Sequence, residues 1–345
     1  MPKRALSPLP MSLLSAALAL SAPAFARAAE EKEAWTPTAR TLRADAAGIA
    51  LPQTVSGLSL SKSGEVSNGG KGIDNYAQYL SDDGAIQATL YIYMPSYADA
   101  SLAAYMTDKA VMERFGSKTR RTAYTSIAAG GRANGAIKAV YDDAADGALT
   151  TAAAFVHAGR WLVKLRITGP SERRREVLAG LDGMLNGLKF DDASTIHATA
   201  PAHFADCPAS DGGDARMTGT AAAAPIDSAM PREGSAALCI RDRVRTADGS
   251  YDMLQQAGVK DGAIIVPVDD AGTMLAFDPA KSGRGYQLSI HSVGQTDLYG
   301  IYDRVPRPYQ IAQILDGKDP QTAQASTVAA FAANGEVTLR SGGNR

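Results

Sequence analysis

Two cysteines in 345 residues are too few for a disulfide-dense scaffold. The sequence has no excess of positive charge, because 35 Lys and Arg residues stand against 36 Asp and Glu residues. This balance excludes the basic footprint of a dedicated nucleic-acid binder. What is present is the 45% hydrophobic content of an ordinary soluble globular protein. The length predicts about two domains.

The N-terminal segment has the pattern of a secretory signal peptide. A short basic start precedes an apolar run from Leu9 to Leu20, and Ala24 and Ala26 occupy positions −3 and −1 of a cleavage site. We therefore expect residues 1–26 to be removed, with cleavage after Ala28 as the alternative. The apolar run is shorter than a membrane span, and no later stretch approaches one. The sequence thus predicts a periplasmic or secreted protein without a transmembrane segment in its mature chain.

The first domain is predicted over residues 51–192, after a polar and flexible segment over residues 27–50. Apolar and polar residues alternate from Ile86 to Met94 and again from Trp161 to Thr168, which is typical of strands with two different faces. His157, Ala158 and Gly159 form the predicted tight turn between Thr151–Val156 and that second strand. Further strands are predicted near Leu58–Val66, Ile73–Leu80, Arg121–Ile127 and Ala136–Tyr141.

Two segments of this domain have helical periodicity. Ser96 is a candidate N-cap for a helix that reaches Phe115, where Gly116 can end it. Pro170 fits the first turn of a second helix, whose apolar stripe is Leu178, Leu181, Leu185 and Leu188. The order of strands, helix, four strands and helix predicts an α+β domain with a mainly antiparallel sheet.

Three stretches of this domain resemble a known family. They are ATLYIYMPSYADASLAAYM, the hairpin TAAAFVHAGRWLVKLRITGP and the helix that closes before LKF. Together they look like the PsbP-like α/β/α sandwich of an extrinsic photosystem protein and of small bacterial envelope proteins. The resemblance covers about residues 50–192. It implies an exported binding or assembly module, and it transfers no catalytic residue.

Beyond this domain, an Ala-, Gly- and Pro-rich stretch over residues 193–231 is predicted to be a linker. Residues 232–345 are predicted to be a second, β-rich domain. Its strand patterns lie at Ala236–Arg241, Gly262–Val268, Thr273–Phe277, Tyr286–His291 and Leu298–Tyr302. Tyr309–Leu315 fits either a helix or a strand.

The two cysteines are best explained as a disulfide. Both follow an export signal, and an oxidising compartment favours a bond between Cys207 and Cys239. A metal site is the alternative for Cys207, because His197, His203 and Asp206 precede it. These four residues lack the paired short spacings of a zinc site, so the sequence predicts no metal and no cofactor.

Two further groups are candidate functional residues. Arg173, Arg174 and Arg175 lie at the start of the second helix, where the macrodipole disfavours positive charge. They indicate either an ordinary solvated face or a site for an anionic ligand. In the second domain, the polar residues on or beside adjacent predicted strands are His291, Asp297, Asp303 and Arg304; as an acid/base group they would need to converge in a cleft.

The sequence therefore favours a non-enzymatic binding or envelope-assembly role, with an unknown envelope protein or an anionic ligand as the partner. The alternative is a periplasmic hydrolase whose site lies in the second domain, with His291, Asp297 and Asp303 as its catalytic candidates. A deep pocket that unites His291 with two carboxylates would favour the hydrolase. An exposed basic or apolar patch would favour binding.

Overall fold

The computed structural model of the chain describes residues 34–67, 72–208, 213–219, 230–234, 237–259, 261–280 and 283–342. The signal peptide and its cleavage site at Ala26 lie outside these residues. By their contacts, Glu33–Arg345 form one compact unit. The predicted domain boundaries at residues 192 and 231 stay predictions.

The described residues form a strand-rich mixture of sheets and helices, which confirms the α+β class. The helices are α1 (Ala100–Arg114), α2 (Arg174–Gly187) and α3 (Pro308–Leu315). The strands of the first half are β1 (Trp35–Pro37), β2 (Thr41–Ala44), β3 (Ile49–Pro52), β4 (Thr54–Val55), β5 (Leu58–Glu65), β6 (Asp74–Ser81), β7 (Gln87–Tyr93), β8 (Tyr97–Ala98), β9 (Arg120–Ala129), β10 (Arg132–Ala144), β11 (Leu149–Ala158), β12 (Trp161–Pro170) and β13 (Lys189–Phe190). Those of the second half are β14 (Met217–Gly219), β15 (Arg232–Glu233), β16 (Leu238–Arg245), β17 (Ser250–Gln256), β18 (Ile264–Pro267), β19 (Met274–Pro279), β20 (Tyr286–Ser292), β21 (Gln295–Tyr302), β22 (Thr327–Phe331) and β23 (Val337–Ser341).

The first large sheet is antiparallel, in the order β4-β5-β6-β7-β12-β11-β10-β9. Successive side chains of a strand point to opposite faces, and β11 shows where each helix packs. Ala154 and Val156 lie in one core with Leu181 of α2, whereas Ala153 and Phe155 lie in another with Ala104 of α1. The two helices therefore cover opposite faces of this sheet.

The N-cap of helix α1 lies three residues after Ser96, the cap expected from the sequence. Asp99 is the cap, because its side chain accepts the backbone N–H groups of Ser101 and Leu102. Ser96 is buried and hydrogen-bonded to His291 instead, so the prediction that it caps the helix is wrong. Gly116 follows the helix with a φ of +86°, the left-handed conformation expected at a helix end.

The second large sheet is also antiparallel, in the order β16-β17-β18-β19-β20-β21-β22-β23, with β14 added beside β21. It packs on the side of α1 that faces away from the first sheet. Leu102 of α1 shares a core with Leu254, Ile265 and Met274 of this sheet. Helix α1 thus lies between the two sheets. Residues 309–315 belong to α3, which decides the helix-or-strand alternative.

Two segments that were expected to be loose are ordered where the structure describes them. Within the predicted flexible segment, residues 35–50 contain β1, β2 and the first two residues of β3, and Leu42 and Ile49 are buried. The described part of the predicted linker is tied to its neighbours: Ile196 is buried and bridges to Ala158. These strands are short and contain few apolar residues, so their apolar/polar alternation cannot be recognised within the polar sequence around them. The sequence therefore did not indicate them.

The disulfide between Cys207 and Cys239 is confirmed, with a Cα–Cα distance of 5.1 Å. It joins the segment after α2 to the second residue of β16. The backbone supports the same connection, since the N–H of Cys207 donates to the carbonyl of Ile240 at 2.7 Å. Among the described residues, no helix has the length and apolar character needed to cross a bilayer.

Candidate functional site

His157 is the starting point of the site. It lies at the end of β11, just before the turn at Gly159, whose φ is +57°. The residue is only 4% exposed, and its Nε2 has no hydrogen-bond partner among the described atoms. A buried polar atom without a partner costs about 1–3 kcal/mol. Such a group at a cleft is a sign of a missing ligand or of a functional role.

The segment after α2 places a second imidazole beside the first. The N–H of His197 donates to the carbonyl of His157 at 2.8 Å, and the N–H of Gly159 donates to the carbonyl of Thr195 at 2.9 Å. These two bonds fix the segment across the end of the β11–β12 hairpin. The rings of His157 and His197 are stacked, with centroids 4.2 Å apart and planes inclined by 16°.

Glu233 reaches the same place from the second half of the chain. It belongs to β15, which pairs in parallel with β8 through the bond from the N–H of Gly234 to the carbonyl of Ala98 at 3.0 Å. Gly234 has to lack a side chain, because a Cβ there would lie 2.0 Å from Oδ2 of Asp99. The close approach brings the carboxylate of Glu233 next to the N-terminus of α1.

The three side chains converge on one point. The ligand atoms that His157, His197 and Glu233 can offer all lie within 4.8 Å of one another. Nδ1 of His197 lies 3.9 Å from Oε2 of Glu233. His157 is buried, whereas the side chains of His197 and Glu233 are 39% and 52% exposed. The cluster thus has one fixed member and two that solvent can reach.

The cluster opens into a cleft of about 530 Å³. Its wall includes Asp99 and Ser101 at the start of α1, together with His203 and Phe204 of the segment after α2. No Lys or Arg is among the described residues that line it. The ionisable side chains of the cleft are therefore imidazoles and carboxylates, a combination suited to a cation or a hydrogen-bonding ligand.

Burial sets the protonation of this cleft. The pKa of His157 is lowered to about 4, chiefly by burial and also by the neighbouring His197, while a hydrogen bond with the Gly159 backbone acts in the opposite direction. Burial raises the pKa of Asp99 to about 6, against the two helix N–H groups that the carboxylate accepts. His157 is therefore neutral at pH 7, and a neutral imidazole nitrogen is free to accept a bond.

The structure places His291 elsewhere, in the core between the two halves. His291 is 0% exposed, and both of its ring nitrogens have hydrogen-bond partners. Nδ1 lies 3.0 Å from Oγ of Ser96, and Nε2 lies 3.0 Å from Oγ of Ser289. Burial lowers the pKa of His291 to about 3. A neutral imidazole held by hydroxyl groups in a core is a structural arrangement.

The carboxylates predicted to work with His291 are not brought to it. Asp297 is paired with Ile290 across the β20–β21 ladder and so points to the opposite face from His291. Asp303 lies beyond the end of β21, where its carboxylate accepts the N–H of Arg216 at 2.9 Å. Arg304 lies beside Asp303, with 3.6 Å between Nε and Oδ1. The described residues therefore do not form the acid/base cleft that the hydrolase hypothesis requires.

Carboxylates accompany two of the three clustered arginines. Arg173 pairs with Asp83 at 2.6 Å and with Glu176 at 2.5 Å. Arg174 pairs with Asp142 at 2.8 Å. Arg175 is exposed on α2. These carboxylates neutralise much of the positive charge of the cluster, as expected for a solvated helix start. Less positive charge is then left to attract an anionic ligand.

Sequence reasoning identified part of the site and missed the rest. His197 and His203 were noted as ligand types, and both line the cleft, whereas Asp206 bridges to Ile240 and Cys207 is in the disulfide. The sequence predicts His157 in a hairpin turn, whereas the structure places it in β11, and the sequence does not single out Glu233. No local motif could have found them, because the three cluster residues are separated by 40 and 36 positions.

Comparison with protein-family models gives no match for this chain, and comparison with curated proteins gives no significant match. The functional argument therefore depends on the geometry of the cleft.

Proposed function

We propose that this protein is an exported, non-enzymatic binding protein that takes its ligand in the cleft of His157, His197 and Glu233. The observation that carries the proposal is the convergence of these side chains around a buried nitrogen without a partner. Export is supported by the signal-peptide pattern at the N-terminus and by the disulfide, a bond characteristic of oxidising compartments.

The fold of the first half is, in this proposal, a PsbP-like α/β/α sandwich. Support comes from the chain order of strands, helix, four strands and helix, and from the packing of α1 and α2 on opposite faces of one antiparallel sheet. A fold alone does not define a function. It does supply a rigid sheet end on which His157 is held.

Binding is favoured over nucleophilic catalysis by the contacts of the cleft. The hydroxyl of Ser101 donates to the carbonyl of Ala200 at 2.7 Å, so this hydroxyl is directed to the backbone. Nucleophilic catalysis needs a hydroxyl or thiol bonded to a base. Among the described residues of the cleft, none of the three histidines forms such a pair. The two cysteines are joined in the disulfide and supply no thiol.

Native mass spectrometry tests the proposal. Tag-free protein recovered from the exported fraction, without chelator, is expected to carry a non-covalent mass that disappears on denaturation. Ala198→Trp fills the cleft at an exposed position of its wall and is expected to abolish this mass. The matched control is Ala85→Trp. Ala85 is exposed in the turn before β7, at the end of that strand that lies away from the cleft. This variant should retain the bound mass.

The same measurement tests the export signal. The denatured mass should correspond to a chain that begins at Arg27, and retention of residues 1–26 contradicts the localisation. An Ala198→Trp protein that keeps the bound mass, or a wild-type protein that carries none, contradicts the binding function.

A further inference from the structure

We infer that the cleft is a binding site for a divalent transition-metal ion of the zinc class, held by Nε2 of His157, an imidazole nitrogen of His197 and the carboxylate of Glu233. This inference rests on the proposed binding function and names its ligand class.

The strongest argument is the state of His157. Its ring is almost fully buried, yet Nε2 meets no donor or acceptor among the described atoms. A metal-bound histidine has one ring nitrogen on the ion, and the other is commonly engaged by a backbone or carboxylate group. The hydrogen bond with the Gly159 backbone leaves Nε2 as the nitrogen for an ion.

Backbone bonds hold the other two ligands near that nitrogen. His197 is fixed to the carbonyl of His157, and Glu233 is fixed by the pairing of β15 with β8. The ligand atoms are already within 4.8 Å of one another. Because three separate parts of the chain are held in place by main-chain bonds, little ordering is needed when an ion enters.

One side chain has to move. An imidazole donates its lone pair in the plane of its ring, and two nearly parallel stacked rings cannot both direct a lone pair at one ion. The stacked pair, with ring planes inclined by 16°, therefore has to unstack for both nitrogens to reach one ion. His197 is the ring that turns, because its side chain is 39% exposed whereas His157 is enclosed.

The donor set selects the class of ion. Two imidazole nitrogens and one carboxylate suit Zn²⁺, Cu²⁺ or Ni²⁺, whereas Ca²⁺ and Mg²⁺ require oxygen ligands throughout. Three protein ligands leave a fourth position of a tetrahedral ion open. The described lining contains Asp99 and Glu233 but no Lys or Arg, so the electrostatics of the cleft favour a cation.

Zinc chloride titrated into tag-free protein by calorimetry is the first test. We expect one Zn²⁺ per chain, and His197→Ala and Glu233→Gln should each weaken the affinity at least tenfold. His203→Ala is the matched control, because it removes another imidazole from the same cleft without touching the cluster, and it should change the affinity less than twofold. Equal affinity in wild type, His197→Ala and Glu233→Gln overturns the inference.

A second measurement avoids variants that fail to fold. The chain has four histidines, so side-chain ¹⁵N NMR can follow all of them in the wild-type protein during the zinc titration. Resonances of His157 and His197 should shift together, and those of His203 and His291 should not. Shifts at His203 alone indicate an unspecific surface ion and overturn the site.

The binding function and the metal site fail on different results. A native bound mass that Ala198→Trp abolishes, together with no zinc binding by the emptied wild-type protein, overturns the metal inference and leaves the binding function standing. Absence of both the native mass and zinc binding removes both.

Discussion

Two buried histidines of this protein, His291 and His157, differ in whether their ring nitrogens have hydrogen-bond partners. His291 is enclosed in the core between the two sheets, and Ser96 and Ser289 satisfy its ring nitrogens. His157 lies at the end of a hairpin, stacked on a half-exposed His197, and its Nε2 is left without a partner among the described atoms. Burial lowers the pKa of both rings. Burial and a lowered pKa are therefore common to both histidines, and what distinguishes the candidate site is the unsatisfied Nε2 of His157 beside the cleft.

The largest expected effect comes from replacing each histidine by leucine. His291→Leu leaves two buried hydroxyls, on Ser96 and Ser289, without their imidazole partner, and at about 1–3 kcal/mol each this lowers the free energy of unfolding by about 4 kcal/mol. His157→Leu removes a nitrogen that is already unsatisfied and loses only the one hydrogen bond with the Gly159 backbone, so its cost should be about 1 kcal/mol. Urea denaturation measures both. Equal losses would show that the two regions do not differ as described.

The disulfide comes next, because it anchors the segment that carries His197. The bond spans 32 positions, and the chain-entropy model gives about 3.7 kcal/mol for the closed loop of 33 residues. A Cys207→Ser/Cys239→Ser variant should lose up to this amount in urea denaturation. Thiol titration of the denatured, unreduced wild-type protein should find no free thiol, and two titratable thiols would contradict the bond.

This variant also separates the two regions. Loss of the disulfide should broaden the NMR signals of His197 and His203, whose segment it anchors, while those of His291 stay sharp. Broadening confined to His291 would mean that the bond supports the core between the sheets rather than the cleft.

A smaller effect is expected from acid. The pKa of His291 is about 3 in the folded protein and about 6.5 in the unfolded chain, so the unfolded state takes up a proton first as the pH falls. Stability from His291 is complete above pH 6.5 and falls by about 1.4 kcal/mol per pH unit towards pH 3. At pH 4.5 the loss is about 2.7 kcal/mol.

Direct NMR titration checks the acid effect without a variant. In the presence of a chelator, the His291 ring should stay neutral at pH 4.5, because burial lowers its pKa to about 3. Protonation of His291 near pH 6 would contradict its burial between the sheets.

The first sheet illustrates what sequence can predict. Alternation from Trp161 to Thr168 predicted β12, and the structure extends it only to Pro170. Long strands with two different faces carry this signal in every second residue. Strands β1 to β3 are at most four residues long, so their period could not be separated from the polar composition around them. Asp99 and Ser96 are both good caps by residue type, and tertiary contact with His291 decided between them.

The site was less predictable than the fold because it depends on contacts distant in sequence. The sequence predicts His157 in a tight turn, but the structure pairs it with Leu162 inside the β11–β12 ladder, and of the predicted turn only Gly159 lies outside the strands. What the sequence lacked was any sign that the segment after α2 returns to this turn, or that Glu233 pairs next to α1. Both placements depend on main-chain bonds between distant residues, and such bonds leave no residue pattern.

The smallest effect is expected at the cluster of Arg173, Arg174 and Arg175. This cluster differs from the cleft because it is positively charged and because carboxylates already pair with two of its side chains. Carboxylates of Asp83, Glu176 and Asp142 already partner Arg173 and Arg174. Exposed pairs of this kind contribute little to stability, and removing positive charge from the start of α2 relieves an unfavourable interaction with its dipole. These opposing effects should leave the melting temperature of the Arg173→Gln/Arg174→Gln/Arg175→Gln variant within a few degrees of wild type.

The anionic-ligand hypothesis for this cluster can be tested against a control of equal charge. Arg40→Gln/Arg132→Gln/Arg340→Gln also removes three positive charges, all from exposed positions, but scatters the loss over the surface. Since internal carboxylates already neutralise much of the cluster, both triple variants should elute from a heparin column at the same salt concentration. Because ionic attraction to a real anion site is concentrated and screened by salt, clearly earlier elution of the cluster variant alone would restore Arg173, Arg174 and Arg175 as a binding surface.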